Sequence, residues 1–86
     1  MRIYFTKHAK LRIRERNISM VHIKQTIINP DNKQITFESR LLVRKKFGSK
    51  TLELVYAEYI DKIIVITLYY LWKWITIKLQ MHYTYT

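Results

Sequence analysis

The chain has no cysteine and only one glycine and one proline in 86 residues. Without cysteine there is no disulfide framework, no thiolate nucleophile and no thiolate metal site, a composition that suits a reducing cytoplasm. With a single glycine there is no glycine-rich loop to cradle a phosphate. Acidic residues number six and no His/Asp/Glu cluster has ligand spacing, so neither metal-dependent hydrolysis nor any cofactor is expected. Long apolar runs are missing as well. The longest, Ile63 to Trp72, spans ten residues before Lys73, well short of the roughly 20 needed to cross a bilayer, and it reads as a buried strand. The charged N-terminus is expected to carry no signal peptide and no membrane anchor. No internal repeat or low-complexity segment occurs.

Positive charge is abundant. Lys and Arg number 16 against 6 Asp and Glu, a formal charge of +10, which favours nucleic acid, an anionic surface or an acidic protein as partner without choosing among them. The length allows one domain with one modest core.

The most informative stretch is Thr6 to Ile18. Thr6 is a good N-cap, the next residues are mostly helix formers, and Asn17 tolerates the left-handed conformation that ends a helix, so a helix is expected over residues 7 to 16. At about 100° per residue, Leu11, Glu15, His8, Arg12, Arg16, Ala9 and Ile13 fill, in that order, an arc of roughly 200°. Lys7, Lys10 and Arg14 lie opposite. A polar group thus sits between apolar flanks, where an amphipathic helix would carry only apolar residues, and this places His8, Arg12, Glu15 and Arg16 at the rim of a core. The plainer reading is that Glu15 pairs with Arg12 or with a residue across the fold. The functional one is that histidine, the residue type that titrates nearest neutrality, and two arginines one turn apart form a phosphodiester site.

The remaining chain reads as a short strand, a helix and a β-meander. Arg2 to Phe5 is β-branched and aromatic and is expected as a first strand. Ser19 caps a second helix over Met20 to Ile28, with Val21, Ile23, Ile27 and Ile28 as candidate contacts, and Pro30 ends it. His22, in its first turns, reads as a surface or packing residue. Pro30 to Lys33 reads as a turn. Gly48-Ser49 suits a two-residue hairpin between Leu41 to Phe47 and Lys50 to Ile60, with Leu41 opposite Tyr56, Val43 opposite Leu54 and Arg44 opposite Glu53. Asp61-Lys62 reverses the chain into Ile63 to Tyr70. Helices on one side of the sheet would bury Leu41, Val43, Leu52, Leu54, Tyr56 and Val65. The other side is then expected to carry Leu42, Val55, Ala57, Ile64, Ile66 and Leu68, which calls for a cover such as the tail or a second copy in a homodimer. From Ile75 onward apolar and polar residues alternate strictly, the mark of an extra C-terminal strand.

The pattern Thr6-x-His8-Ala9-x-x-Arg12-x-x-Glu15-Arg16-x-Ile18, the second helix ending at Asn29-Pro30 and the meander resemble a family of small uncharacterised prokaryotic domains of the RelE/ParE-like toxin superfamily. The likeness covers residues 3 to 72. It implies an α+β fold of order β-α-α-β-β-β with an antiparallel sheet in residues 1 to 72; the extra strand expected within 73 to 86 lies beyond the likeness and belongs to the same domain. It also implies a toxin of a type II toxin-antitoxin pair, commonly an RNA endonuclease that needs no metal, acting on RNA on or off the ribosome and held by an antitoxin protein. In that reading His8 is general acid or base, Glu15 orients it or carries the second proton, and Arg12 and Arg16 hold the phosphate. Lys7, Lys10 and Arg14 add backbone contacts. The superfamily's use of strand residues adds Arg44, Lys45, Lys46 and Tyr69. Two alternatives stand beside this: a nucleic-acid-binding module without chemistry, with the aromatic residues as stacking surfaces, and a toxin that inhibits an enzyme such as gyrase by protein contact.

Overall fold

The computed structural model describes residues 2 to 72 and shows an α+β architecture of two helices and a five-stranded mixed sheet. Strand β1 (Arg2–Phe5) leads into helix α1 (Lys7–Arg16), helix α2 (Met20–Ile28), and strands β2 (Asn32–Ile35), β3 (Leu41–Phe47), β4 (Lys50–Glu58) and β5 (Lys62–Trp72). The order across the sheet is β1-β5-β4-β3-β2. The expected C-terminal strand falls outside the described residues.

Both helices begin and end where local chemistry places them. Thr6 Oγ1 accepts from Ala9 N–H, Asn17 closes α1 at φ 51°, and Ser19 Oγ accepts from His22 N–H at the start of α2. Gly48 takes φ +66° in the β3–β4 hairpin. This fixes the register with Leu41 facing Tyr56, Val43 facing Leu54 and Arg44 facing Glu53.

Three features depart from expectation. The sheet is not wholly antiparallel: β1 runs parallel to β5, Ile3 beside Ile63 and Phe5 beside Val65. The connection from Phe5 to Lys62, which runs through both helices and strands β2 to β4, makes this possible, because a parallel neighbour needs a long connection. Asn32–Ile35, within and beyond the expected turn, forms edge strand β2 against β3, followed by a 3-10 turn at Phe37–Ser39. Finally, Val55 faces Thr67 while Tyr56 faces Val65, so Ile66 is an extra residue that bulges β5. The bulge reverses the phase of the later half of the strand. Leu68, expected on the open side, turns under the helices and is fully buried, and Tyr70 follows it.

The core lies between the helices and one sheet face. Ala9, Ile18 and Ile23 pack over Val43, Leu52, Leu54, Tyr56, Ile63, Val65 and Leu68, with Ile3, Phe5, Ile13 and Ile27 at its margin. Thr26 is buried with them, its hydroxyl donating to the His22 carbonyl at 2.7 Å, while Val21 and Ile28 of α2 are exposed. Ala9 and Ile13 form the flank of α1 that meets the sheet. Its other apolar flank faces outward, with Leu11 49% exposed.

Candidate nucleic-acid interface

Helix α1 is strongly cationic, with Lys7, Lys10, Arg12, Arg14 and Arg16 in 10 residues. Its place in the fold leaves that charge unneutralised. Four of the six acidic residues are spent elsewhere: Asp61 on Arg2, Glu38 on Arg40, Glu53 on Arg44 and Asp31 on Lys45. Among the described residues neither Glu15 nor Glu58 makes an ion pair. Among the described residues every cation that has an acidic partner therefore lies on a strand or loop, and the positive field concentrates on α1.

Tertiary contacts fix how α1 lies. Thr6 N–H donates to the Val65 carbonyl and its hydroxyl to the Ile66 carbonyl. His8 Nε2 lies 3.1 Å from Thr67 Oγ1, and after the helix Ser19 N–H reaches the Tyr70 hydroxyl at 3.4 Å. The chain thus meets β5 first at Val65–Thr67 and again at Tyr70, so α1 runs alongside the later half of that strand. His8, Arg12 and Arg16 recur every fourth residue and form one stripe, each step advancing about 6 Å along the axis. His8 heads the stripe, Arg12 is half-buried at its middle and Arg16 is exposed.

The stripe brings together some of the expected site and separates other parts. His8 has Thr67 as its only hydrogen-bond partner among the described residues, which leaves Nδ1 open. Glu15 is exposed and lies about 10 Å further along the axis than His8, too far to orient its ring. Lys7, Lys10 and Arg14 are exposed on the outward side of α1.

The strand candidates are dispersed. Arg44 lies across from Glu53 on the sheet face away from the helices, with Nε to Oε2 at 3.4 Å. Tyr69 flanks Glu53 from β5. Lys45, on the helix side, donates to the Asn29 carbonyl at 2.9 Å and pairs with Asp31. Lys46 donates its backbone N–H to Asp31 at 2.8 Å while its residue stays exposed. The Lys46 amide above all, then the Lys45 ammonium, hold the Asp31 carboxyl below its usual range. Arg44 and Lys45 are thus committed to intramolecular pairs, whereas the cations of α1 are not.

A second constellation was not legible in the sequence. His22 stacks on Phe47 at 3.9 Å between ring centroids, and its Nδ1 lies 2.9 Å from the Tyr70 hydroxyl. Lys50 Nζ sits 4.2 Å from the Tyr70 ring centroid and 5.8 Å from that of Trp72. The only local signal was the helix-phase position of His22, since its partners lie 25 and 48 residues away. Among the described residues no group of three or more His, Cys, Asp or Glu converges to hold a metal ion, and no helix is long and apolar enough to cross a membrane.

Comparison with known families gives one match, to a domain of unknown function, DUF4258, over residues 5–70. The chain belongs to this family. No curated protein and no solved structure matches it. The family domain takes in both helices, strands β2 to β4 and β5 as far as Tyr70, so the α1 stripe and the contacts among His22, Phe47, Lys50 and Tyr70 lie within it, and Trp72 lies just beyond.

Proposed function

We propose that this DUF4258 protein is a metal-independent RNA endonuclease of the toxin type, with the α1 stripe as its site. The observation that carries the reading is that His8, anchored to Thr67, heads a line of Arg12 and Arg16 on the helix that gathers five cations, none with an acidic partner among the described residues. The β-α-α-β order and the meander that follows support kinship with RelE/ParE-like toxins, and an acidic antitoxin in a cytoplasmic complex is the expected partner.

The chemistry uses the substrate's own nucleophile. The ribose 2′-oxygen attacks the adjacent phosphorus, the P–O2′ bond forms, the P–O5′ bond breaks, and a 2′,3′-cyclic phosphate results. With Thr67 Oγ1 accepting from Nε2–H, the Nδ1 lone pair of His8 takes the 2′-hydroxyl proton. Arg12 and Arg16 hold the phosphoryl oxygens with forked donors and stabilise the charge that builds there. The departing 5′-oxygen takes a proton from solvent.

The test is incubation of the purified protein with single-stranded RNA, with and without ribosomes, followed by end analysis. Cyclic phosphate ends support the reading. Tight RNA binding without cleavage under either condition would instead favour a binding module.

A further inference from the structure

Strand β2 ends the sheet on the side away from α1, three strands from β5 and about 14 Å from it at ordinary strand spacing. Among the described residues it pairs with β3 alone. Thr36 N–H donates to the Arg40 carbonyl at 2.6 Å, and Gln34, two residues earlier and opposite Leu42, directs its backbone to β3 in the same way. Inward and outward residues alternate along an antiparallel edge, so the N–H and C=O groups of Lys33 and Ile35 point out of the sheet. Among the described residues nothing bonds to them.

The side chains make this edge adhesive. Lys33 and Ile35 stand opposite Val43 and Leu41, on the helix side of the sheet, but α2 packs over β3 and β4 and every residue of β2 is exposed. Ile35 is 77% exposed and Phe37 85%. Beyond Phe37 the chain turns through Glu38 and Ser39, neither of them glycine, at φ 62° and 60°, a costly backbone for residues with a side chain. The Glu38–Arg40 ion pair and the Thr36 hydroxyl, which donates to the Arg40 carbonyl, brace that turn. Phe37 therefore sits on a braced turn and not on a loose loop.

An exposed strand edge with open backbone groups and apolar side chains is a template for one more strand. Charge decides which. Lys33 has no acidic partner among the described residues, and a second copy of the chain would bring a further +10 to the contact. A lysine on an edge guards against such self-pairing, while it favours a strand with a carboxylate directly across from it. We propose that β2 is a docking edge for an extended acidic segment of another protein, which adds as a further strand, bonds to the backbone of Lys33 and Ile35, sets a carboxylate beside Lys33 and rests apolar side chains on Ile35 and Phe37. The edge lies away from α1, so the proposal stands apart from the nuclease reading, and RNA and the added strand can be held at the same time.

The probe is an end-blocked peptide of alternating valine and glutamate, titrated into the isotope-labelled full chain and followed by NMR. Its control carries N-methyl groups on alternate amides, which keep charge and side chains but prevent strand addition. The amide protons of Lys33 and Ile35 should exchange freely in the unbound chain and slow when the peptide binds, and the control should leave them unchanged. Ile35→Pro removes an outward donor without touching the β3 ladder, a place where an edge strand tolerates proline. It should abolish peptide binding while circular dichroism and RNA affinity stay as they are. Phe37→Ala lies outside the ladder and should weaken the peptide about threefold or more. Lys33→Glu should weaken the valine-glutamate peptide and strengthen a valine-lysine one, each by about two- to fivefold. Equal binding of the methylated control, or amide shifts confined to α1, would reduce the effect to charge attraction and overturn the docking edge. A concentration-dependent dimer that Ile35→Pro dissolves would put a second copy in place of the acidic segment and overturn it as well.

Discussion

His8 and Thr67 are 59 residues apart in sequence and 3.1 Å apart in space, Nε2 to Oγ1. The contact places the one histidine of α1 at the start of its arginine stripe and sets which ring nitrogen is left open. Thr67 stands immediately after the bulged Ile66 of β5. The bulge turns Leu68 into the core, and Thr67, between the two, meets His8.

Thr67 should behave as a positioning residue. Thr67→Val keeps the shape and removes the hydroxyl, and it should lower the turnover rate about three- to tenfold, the worth of one ordinary hydrogen bond, with KM nearly unchanged. Steady-state kinetics on a short RNA separates this from a packing defect. Equal activity together with a lower melting temperature would make Thr67 structural only.

Arg44 should matter for stability and little for RNA. The Glu53 side chain is 5% exposed and Arg44 is its cation. Arg44→Ala strands a buried carboxylate and should cost about 1–3 kcal/mol in denaturant unfolding, while cleavage per folded molecule stays close to wild type. If Arg44→Ala abolished cleavage in a protein of undiminished stability, the strand face and not α1 would hold the site.

Two turns should respond in opposite directions. Gly48 has nothing within 4 Å of where a Cβ would sit, yet its φ of +66° penalises any side chain, so Gly48→Ala should destabilise by about 1 kcal/mol. Ser39 adopts φ 60° with a side chain present. Ser39→Gly should therefore stabilise by up to about 1 kcal/mol. Thermal melts of both variants decide it.

The Asp31 carboxylate gives a pH signature. Its pKa is lowered in the folded chain, chiefly by the Lys46 amide and also by the Lys45 ammonium. The unfolded chain therefore binds the proton more readily. The stabilisation is fully present above the usual carboxylate range, about pH 4, and is lost as pH falls through the lowered value. Melting temperature followed from pH 7 to pH 3 should fall more for wild type than for Asp31→Asn. Parallel curves would remove this contribution.

Local signals carried most of the elements. Thr6, Ser19 and Asn17 announce the helix ends because capping is decided within four residues, and Gly48-Ser49 fixes the hairpin register because strand alternation on both sides agrees with it. Asn32–Ile35 gave no such signal: every residue of β2 is exposed, so nothing in its polarity alternates. The parallel pairing of β1 with β5 and the contact of His22 with Tyr70 join residues far apart in the chain, and no periodicity encodes them. The Ile66 bulge was hidden by an apolar run on both of its sides, which reads the same in either phase. In the site, the stripe itself is plain from four-residue spacing. That its cations have no acidic partner became visible only when the carboxylates were found paired elsewhere.

Nucleic-acid affinity should follow from that charge. Binding of single-stranded RNA should fall by orders of magnitude between about 50 and 200 mM salt, since each neutralised phosphate releases counterions. Replacing Lys7, Lys10 and Arg14 together by Gln should flatten the slope by about three contacts. A flat profile in the unaltered protein would argue against both nucleic-acid readings.

The most direct measurement is the RNA cleavage rate of His8→Ala against the unaltered protein, in EDTA, with circular dichroism on both. The account predicts a loss of about 10² to 10⁴ in rate with the fold retained. It also predicts that the unaltered protein cleaves equally well with or without the chelator and leaves 2′,3′-cyclic phosphate ends. A folded His8→Ala protein that cleaves as fast as the original would contradict it.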